Sequence, residues 1–289
     1  MPVTLPPLAD WSRLAEEPDR LVPLPAPPGE PPLFMRFRRI PPGWFWMGSR
    51  DHKPFEDPRH CVVVPYGFWL GKFVVTQDEW GVVVRAFKEL RELDPDPSNF
   101  KGPKRPVDTV SWFDACSWCL ALQKWVRAQA LGEITRLPLE DEWEYACRAG
   151  TETDYFNGDG DEALARVGWY KLNLGFETHP VDEFPTSDGA FHPVGLFGMH
   201  GNVWQWCEDV WDPFAYCKRP GFRISQRSWT ASLGDPRKSF GEVKESTSTE
   251  RVLRGGSWFY DACGCRSGFR YWEQAGSRVP FAGFRVLLM

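Results

Sequence analysis

The residues of this chain best equipped for chemistry gather near its carboxyl end. Between residues 251 and 289 stand Cys263 and Cys265, two thiols two positions apart, and the aromatic residues Phe259, Tyr260, Phe269, Tyr271, Trp272 and Phe281. The cysteines raise a catalytic reading and the rings raise a binding one. Tyr and Trp supply large amphipathic contact area with little side-chain freedom to lose, and aromatic anchors are the usual energetic centres of interfaces. Asp261, Glu273 and Arg278 in the same stretch would add directional polar contacts.

Such a surface needs a frame. Residues 251–258 alternate and then turn at Gly255-Gly256, and residues 283–288 read as a terminal strand, with Trp258 and Phe284 as core. A loop clamped between strands is held stiff, which lowers the ordering cost of binding. Upstream, residues 34–40 alternate like a strand, 43–49 read as another, and 61–64 and 68–75 flank a Pro65-Tyr66-Gly67 turn. Thr76 with Glu79 is a capping box for a helix from 77 to about 93. Ser111 with Asp114 opens a second, 112 to about 130, with Ala115, Trp118, Cys119, Leu122 and Trp125 on one stripe. Residues 139–146 read as a third, whose acidic run Glu140-Asp141-Glu142 suits the helix dipole rather than a catalytic pair.

Regular structure becomes scarce after Gly150. Residues 154–161 lack the spaced ligands of an EF-hand and read as a solvated turn, and residues 208–249 read as a polar surface excursion. Ten prolines within residues 1–32 leave an amino-terminal extended arm, and the body is placed at 33–289.

Composition narrows the function classes. Sixteen Trp in 289 residues supply core despite a mean hydropathy of −0.42, and 27 Pro with 26 Gly exclude a helical bundle. A net charge of −5, with no basic run, argues against nucleic acid. No stretch is apolar enough for a membrane span, and no basic start precedes an apolar run, so a cytoplasmic location is expected. The scarcity of asparagine, only Asn99, Asn157, Asn173 and Asn202, fits a thermophile. Eight cysteines in a chain of this length are expected to be reduced, and Cys116-x-x-Cys119 has no second half for a zinc site. No phosphate loop or nucleophile elbow is present, and the five histidines fit no triad spacing.

Several ordered segments together resemble one family. They include Trp46-Met47-Gly48-Ser49, Pro106-Val107-Asp108-Thr109-Val110-Ser111-Trp112, Arg136-Leu137-Pro138, Gly198-Met199-His200-Gly201-Asn202-Val203-Trp204-Gln205-Trp206, Arg254-Gly255-Gly256-Ser257-Trp258 and Gly283-Phe284-Arg285. This order resembles the formylglycine-generating enzyme (sulfatase-modifying factor) domain over residues 33–288. The resemblance implies an α+β, C-type-lectin-like fold with much irregular backbone. It also implies one of two activities. True enzymes of the family use O2 and a copper ion on two cysteines to oxidise a sulfatase cysteine. Non-catalytic relatives include variable proteins of diversity-generating retroelements, which display changing ligand-binding surfaces.

For the enzyme, the resemblance matches the second copper cysteine to Cys265 and puts Tyr260 at the first. Cys263 is out of register, though in a strand it would share a face with Cys265. Family calcium positions fall on Gly198 and Gln205, which leaves Asn202 with backbone carbonyls, so calcium binding is expected to be weak or absent. The variable-protein reading fits the terminal loop better. Phe259, Tyr260, Asp261, Gly264, Tyr271, Ser277, Val279, Pro280 and Phe281 are each reachable from an asparagine AAC codon by changing its adenines. Trp272, Glu273 and Gln274 derive from other template codons. The sequence therefore reads as a binder, without cofactor, whose variable-type region spans about 259–282. Its expected contacts are Phe259, Tyr260, Asp261, Gly264, Tyr271, Trp272, Glu273, Gln274, Ser277, Arg278, Val279 and Phe281, and its ligand is a protein, peptide or sugar. The alternatives are a copper oxidase using Cys263 and Cys265, and a scaffold that docks a partner through 208–249.

Overall fold

The structure, a computed structural model, describes residues 8–289 except 12, 13, 15, 27, 28, 30, 50–53, 133, 174, 187–190, 219–221 and 225–248, with backbone alone at 222–224. The proline-rich arm enters the body. Its strand β1 (Arg20–Pro23) pairs antiparallel with β2 (Phe34–Ile40), so the sheet begins ahead of residue 33. Being an edge strand, β1 tolerates its proline. Strand β5 (Phe68–Gly71) lies on the other side of β2. The carboxyl-terminal β12 (Leu287–Leu288) is inserted between β5 and the short β6 (Thr135–Arg136), completing the order β1-β2-β5-β12-β6. A three-stranded sheet holds β3 (Gly43–Met47), β4 (His60–Val64) and β8 (Phe222–Ile224).

The third sheet carries the region of interest. It runs β10 (Tyr271–Gln274), β9 (Glu250–Arg254), β7 (Trp204–Val210) and β11 (Ala282–Phe284). Strand alternation sends its side chains to two cores. Leu253, Trp204, Trp206 and Phe284 pack with Trp80 and Trp118 of helices α1 (Gln77–Ala86) and α2 (Trp112–Ala128). Val252 and Cys207 pack with Trp143 and Tyr145 of α3 (Glu140–Arg148). A short α4 (Gly160–Ala165) follows the 154–161 turn, in which Asp159 accepts from the Asp154 amide. This is the α+β, C-type-lectin-like architecture the sequence led us to expect.

Both capping boxes form as the sequence implied. Helix α1 is shorter than the reading to 93. Phe87 turns extended, a 3-10 turn over Lys88–Leu90 brings Leu90 into the core, and the Trp80 indole donates to Asp94 O at 2.9 Å. Part of the expected 208–249 excursion is strand, in β7 and β8, and residues 225–248 lie outside those described. No helix among the described residues is long and apolar enough to cross a membrane.

Candidate ligand-binding surface

The connection from β9 to β10 is held by buried arginine–carboxylate pairs. Arg254 is wholly buried and donates to the Glu144 carboxylate, to Ser267 O (2.7 Å), to Gly268 O (3.1 Å) and to Phe269 O (2.7 Å). Arg270 grips Glu140 with two bonds of 2.6 and 2.9 Å, and Arg266 grips Glu56 with two of 2.9 Å. Glu142 is taken by Arg136 at 2.7 Å through both oxygens. The acidic run of α3 is thus more than a dipole-suited cap. It is part of a buried hub in which Glu140 holds Arg270 on the connection and Glu144 holds Arg254 at the end of β9. Carboxylate and guanidinium meet in bidentate geometry, which fixes orientation as well as charge.

Two glycines set the bend. Gly255 and Gly256 have φ of +97° and +77°, a region L side chains avoid. A Cβ on Gly256 would lie 2.4 Å from Cys265 Sγ and 2.8 Å from its Cα. Gly256→Ala is therefore expected to lose about 2–4 kcal/mol in urea unfolding, from backbone strain plus overpacking. A loss below about 1 kcal/mol would show that the bend is not fixed there.

On this frame the rings form one continuous patch. Trp204 is its buried floor. Tyr271 stacks on it at 5.0 Å, and Tyr260 meets it edge-on at 5.2 Å. Tyr260 touches Tyr271 at 5.3 Å and Phe281 at 5.7 Å. Phe259, 52% exposed, stacks on Phe281 at 6.3 Å. Burial beside the Tyr271 phenol keeps the Tyr260 hydroxyl protonated, well above the usual range. Main-chain bonds fix the rim: Tyr260 N donates to Ser257 O, Trp204 N to Phe281 O, and Thr109 N to Val279 O.

Other expected contacts are placed differently. Gly264 is buried against Tyr260 and Trp204 rather than displayed. Trp272 and Gln274 leave β10 on the face opposite Tyr271 and Glu273, so Trp272, 37% exposed, stands apart from the ring patch. Glu273 accepts from the Gln274 amide (2.8 Å) and the Ser277 hydroxyl (3.1 Å). Arg278 is spent on Asp114, bonded at 2.7 and 2.9 Å, while Asp114 also caps α2. Exposed Asp261 lies 3.3 Å from Lys171. Trp258, read as core, is half-buried, edge-on to Phe100 at 5.3 Å, and its indole donates to Pro280 O. Sequence reading missed Trp204, although its two-residue spacing from Trp206 is a strand signal, and it missed Phe100, Lys171 and Asp114.

The cysteine pair does not converge. Residues Ala262–Cys265 form a 3-10 turn, not a strand, and this removes the shared face. Cys263 is exposed, while Cys265 is wholly buried behind Gly256, where burial pushes its thiol far up. Two such thiols, with Tyr260 packed among rings at the first position, do not fit copper. Calcium fares no better. Asn202 Oδ1 accepts from His179 N at 3.0 Å. Gln205 Oε1 accepts from Trp143 Nε1 (2.9 Å) and Arg285 Nε (3.1 Å). Gly198 O accepts from Gln205 Nε2, and Gly71 O, Lys72 O and Phe197 O accept from Arg285. The oxygens are already taken by the chain's own donors. Arg285 is a wholly buried cation held by carbonyls and an amide, and burial lowers its pKa to about 9.

Comparison with known proteins identifies the family and the fold. The model of the sulfatase-modifying factor enzyme 1-like domain matches residues 34–289. A formylglycine-generating enzyme of Thermomonospora curvata is 30% identical over 240 residues, covering 78% of this chain and 69% of the relative. A protein named chaperone protein LppX, from Paenibacillus barcinonensis, is 26% identical over 243 residues, 70% of this chain and 79% of the relative. Among solved structures, Treponema denticola variable protein 1 superposes with a TM-score of 0.70 at 23% identity, over 93% of this chain and 98% of that one. PvdO from Pseudomonas aeruginosa gives 0.66 at 22%, over 88% and 94%. The chain belongs to the sulfatase-modifying factor enzyme 1-like family.

Proposed function

We propose that the chain is a non-enzymatic binding protein that takes a protein, peptide or sugar on the patch of Phe259, Tyr260, Tyr271 and Phe281, and that this patch is diversified as in a retroelement variable protein. The observation that carries the reading is a continuous ring surface, part of it exposed, on a connection locked by buried arginine pairs. A stiff frame under replaceable side chains is what repeated substitution requires, because it separates the cost of folding from the choice of contact. The fold shared with a protein named as variable supports it. The reading needs no cofactor.

Two measurements test it. On peptide and glycan arrays, whatever the chain retains is expected to bind Phe259→Ala at least tenfold more weakly, about 1.4 kcal/mol. Retention unchanged by Phe259→Ala would place recognition elsewhere, for instance at residues 208–249. Beside the gene, a near-copy of the segment encoding 259–282 and a reverse transcriptase are expected, and their absence removes the diversification. The enzyme reading, kept alive by the formylglycine-generating relatives, predicts tight copper(I) binding lost in both Cys263→Ala and Cys265→Ala.

A further inference from the structure

We infer that the ligand presents a cation: a lysine or arginine side chain of a protein or peptide segment seats on the rings beside Glu273. This rests on the binding function proposed above and adds a ligand class to it.

Charge bookkeeping around the patch favours that class. Glu273 follows Tyr271 by two positions on β10, so both side chains leave the same face. Its carboxylate accepts from one amide and one hydroxyl, and among the described residues no basic side chain pairs with it. Asp261 borders the patch on the other side, and its pairing with Lys171 joins two well-exposed side chains. Such an exposed pair is weakened by solvent screening, and an incoming cation can replace it. The neighbouring positive charges, by contrast, are committed. Arg278 is doubly bonded to Asp114, and Arg251, opposite Glu273 in the sheet, lies over the Trp112 ring at 3.8 Å and donates to Glu208 O. The patch is therefore aromatic, and it holds in Glu273 a carboxylate that no basic side chain among the described residues engages.

Those two properties select the same guest. A cation over aromatic faces is attracted by the ring quadrupole, and a nearby carboxylate adds a charge-assisted hydrogen bond. An acidic ligand would meet two carboxylates, with Lys171 already shared with one of them. A neutral one would leave Glu273 desolvated and unpaired on closure, at a cost.

The test uses the full chain and a phage-displayed random dodecapeptide library, with retained peptides re-measured on Phe259→Ala and Glu273→Gln. Both changes are at accessible side chains, and unchanged thermal melts would confirm that the variants fold. Peptides that depend on Phe259 are expected to be enriched in Lys and Arg, to weaken about tenfold on Glu273→Gln, and to lose affinity as salt rises. Phe259-dependent peptides that are neutral or acidic, or basic ones indifferent to Glu273→Gln, would overturn the cation while the binding function stands. A library yielding no Phe259-dependent peptide would count against both.

Discussion

Arg254→Met is expected to cost about 3–5 kcal/mol of folding stability, because it leaves the Glu144 carboxylate buried without this cation. Glu144 is wholly buried and also serves the Gly48 amide and Arg148, so it cannot swing out to water. The same change releases three carbonyls, Ser267 O, Gly268 O and Phe269 O, that Arg254 holds in place. Two readouts should therefore move together: the urea midpoint and affinity at the ring patch. Adding Glu144→Gln removes the stranded charge, so the double variant should lose clearly less than the two single losses added, a coupling of about 1–3 kcal/mol. Strict additivity, or a single-variant loss under about 1 kcal/mol, would mean that the arginine is not what holds the connection.

How much of this was legible depends on the range of the interaction. Thr76 with Glu79 and Ser111 with Asp114 are contacts three residues long, and both were readable as capping boxes. The aromatic content of 259–281 was readable but its burial was not: Phe259 is exposed, while Tyr260, Phe269, Tyr271 and Phe281 pack against the core. Long-range facts were not readable. Arg266 and Glu56 are 210 positions apart, and no local pattern joins them. The Cys263–Cys265 geometry failed for the same reason: Cys265 sits in a 3-10 turn packed against the distant Gly256, a contact the spacing of the thiols does not carry. The end of α1 was misplaced because Leu90 is drawn into a tertiary core that overrides helix propensity. Trp272 was grouped with Tyr271 by proximity in sequence, although the two-residue period of β10 already separates them once the strand is recognised. Asn202 read as the remnant of a calcium site whose other ligands are lost at Gly198 and Gln205, but the hydrogen bonds of Asn202 and Gln205 tie backbone segments together, which only coordinates reveal.

Asp108→Asn is expected to make the fold more acid-sensitive while raising its stability at pH 8. Two buried histidines set the background. His200 accepts from Phe156 N at Nε2 and donates from Nδ1 to Cys265 O, His192 accepts from Val194 N, and burial holds their pKa values near 4 and 3. The unfolded chain protonates them near 6.5, so it binds more protons between about 4 and 6.5, and stability falls by about 1.4 kcal/mol per pH unit per histidine as pH drops. Two carboxylates run the other way. Burial lifts Asp108 to about 6, with Oδ2 lacking any partner, and lifts Glu79 to about 7. Their folded forms hold protons that the unfolded chain has released, so they add stability as pH falls and lose it as pH rises through those values. Between pH 4.5 and 6 the two sets nearly cancel. Removing Asp108 takes away one counterweight, and the stability of Asp108→Asn should decline by up to about 1.4 kcal/mol per unit more steeply than the parent from pH 6 to 4. At pH 8 the ionised parent carries the burial cost, and the variant should be about 1–3 kcal/mol more stable, since Asn keeps an acceptor for Asn99 N and Thr109 Oγ1. Urea melts of both proteins at pH 4.5, 6 and 8 decide it: parallel curves would mean that Asp108 titrates as an ordinary surface carboxylate and that Glu79 alone opposes the histidines in this window.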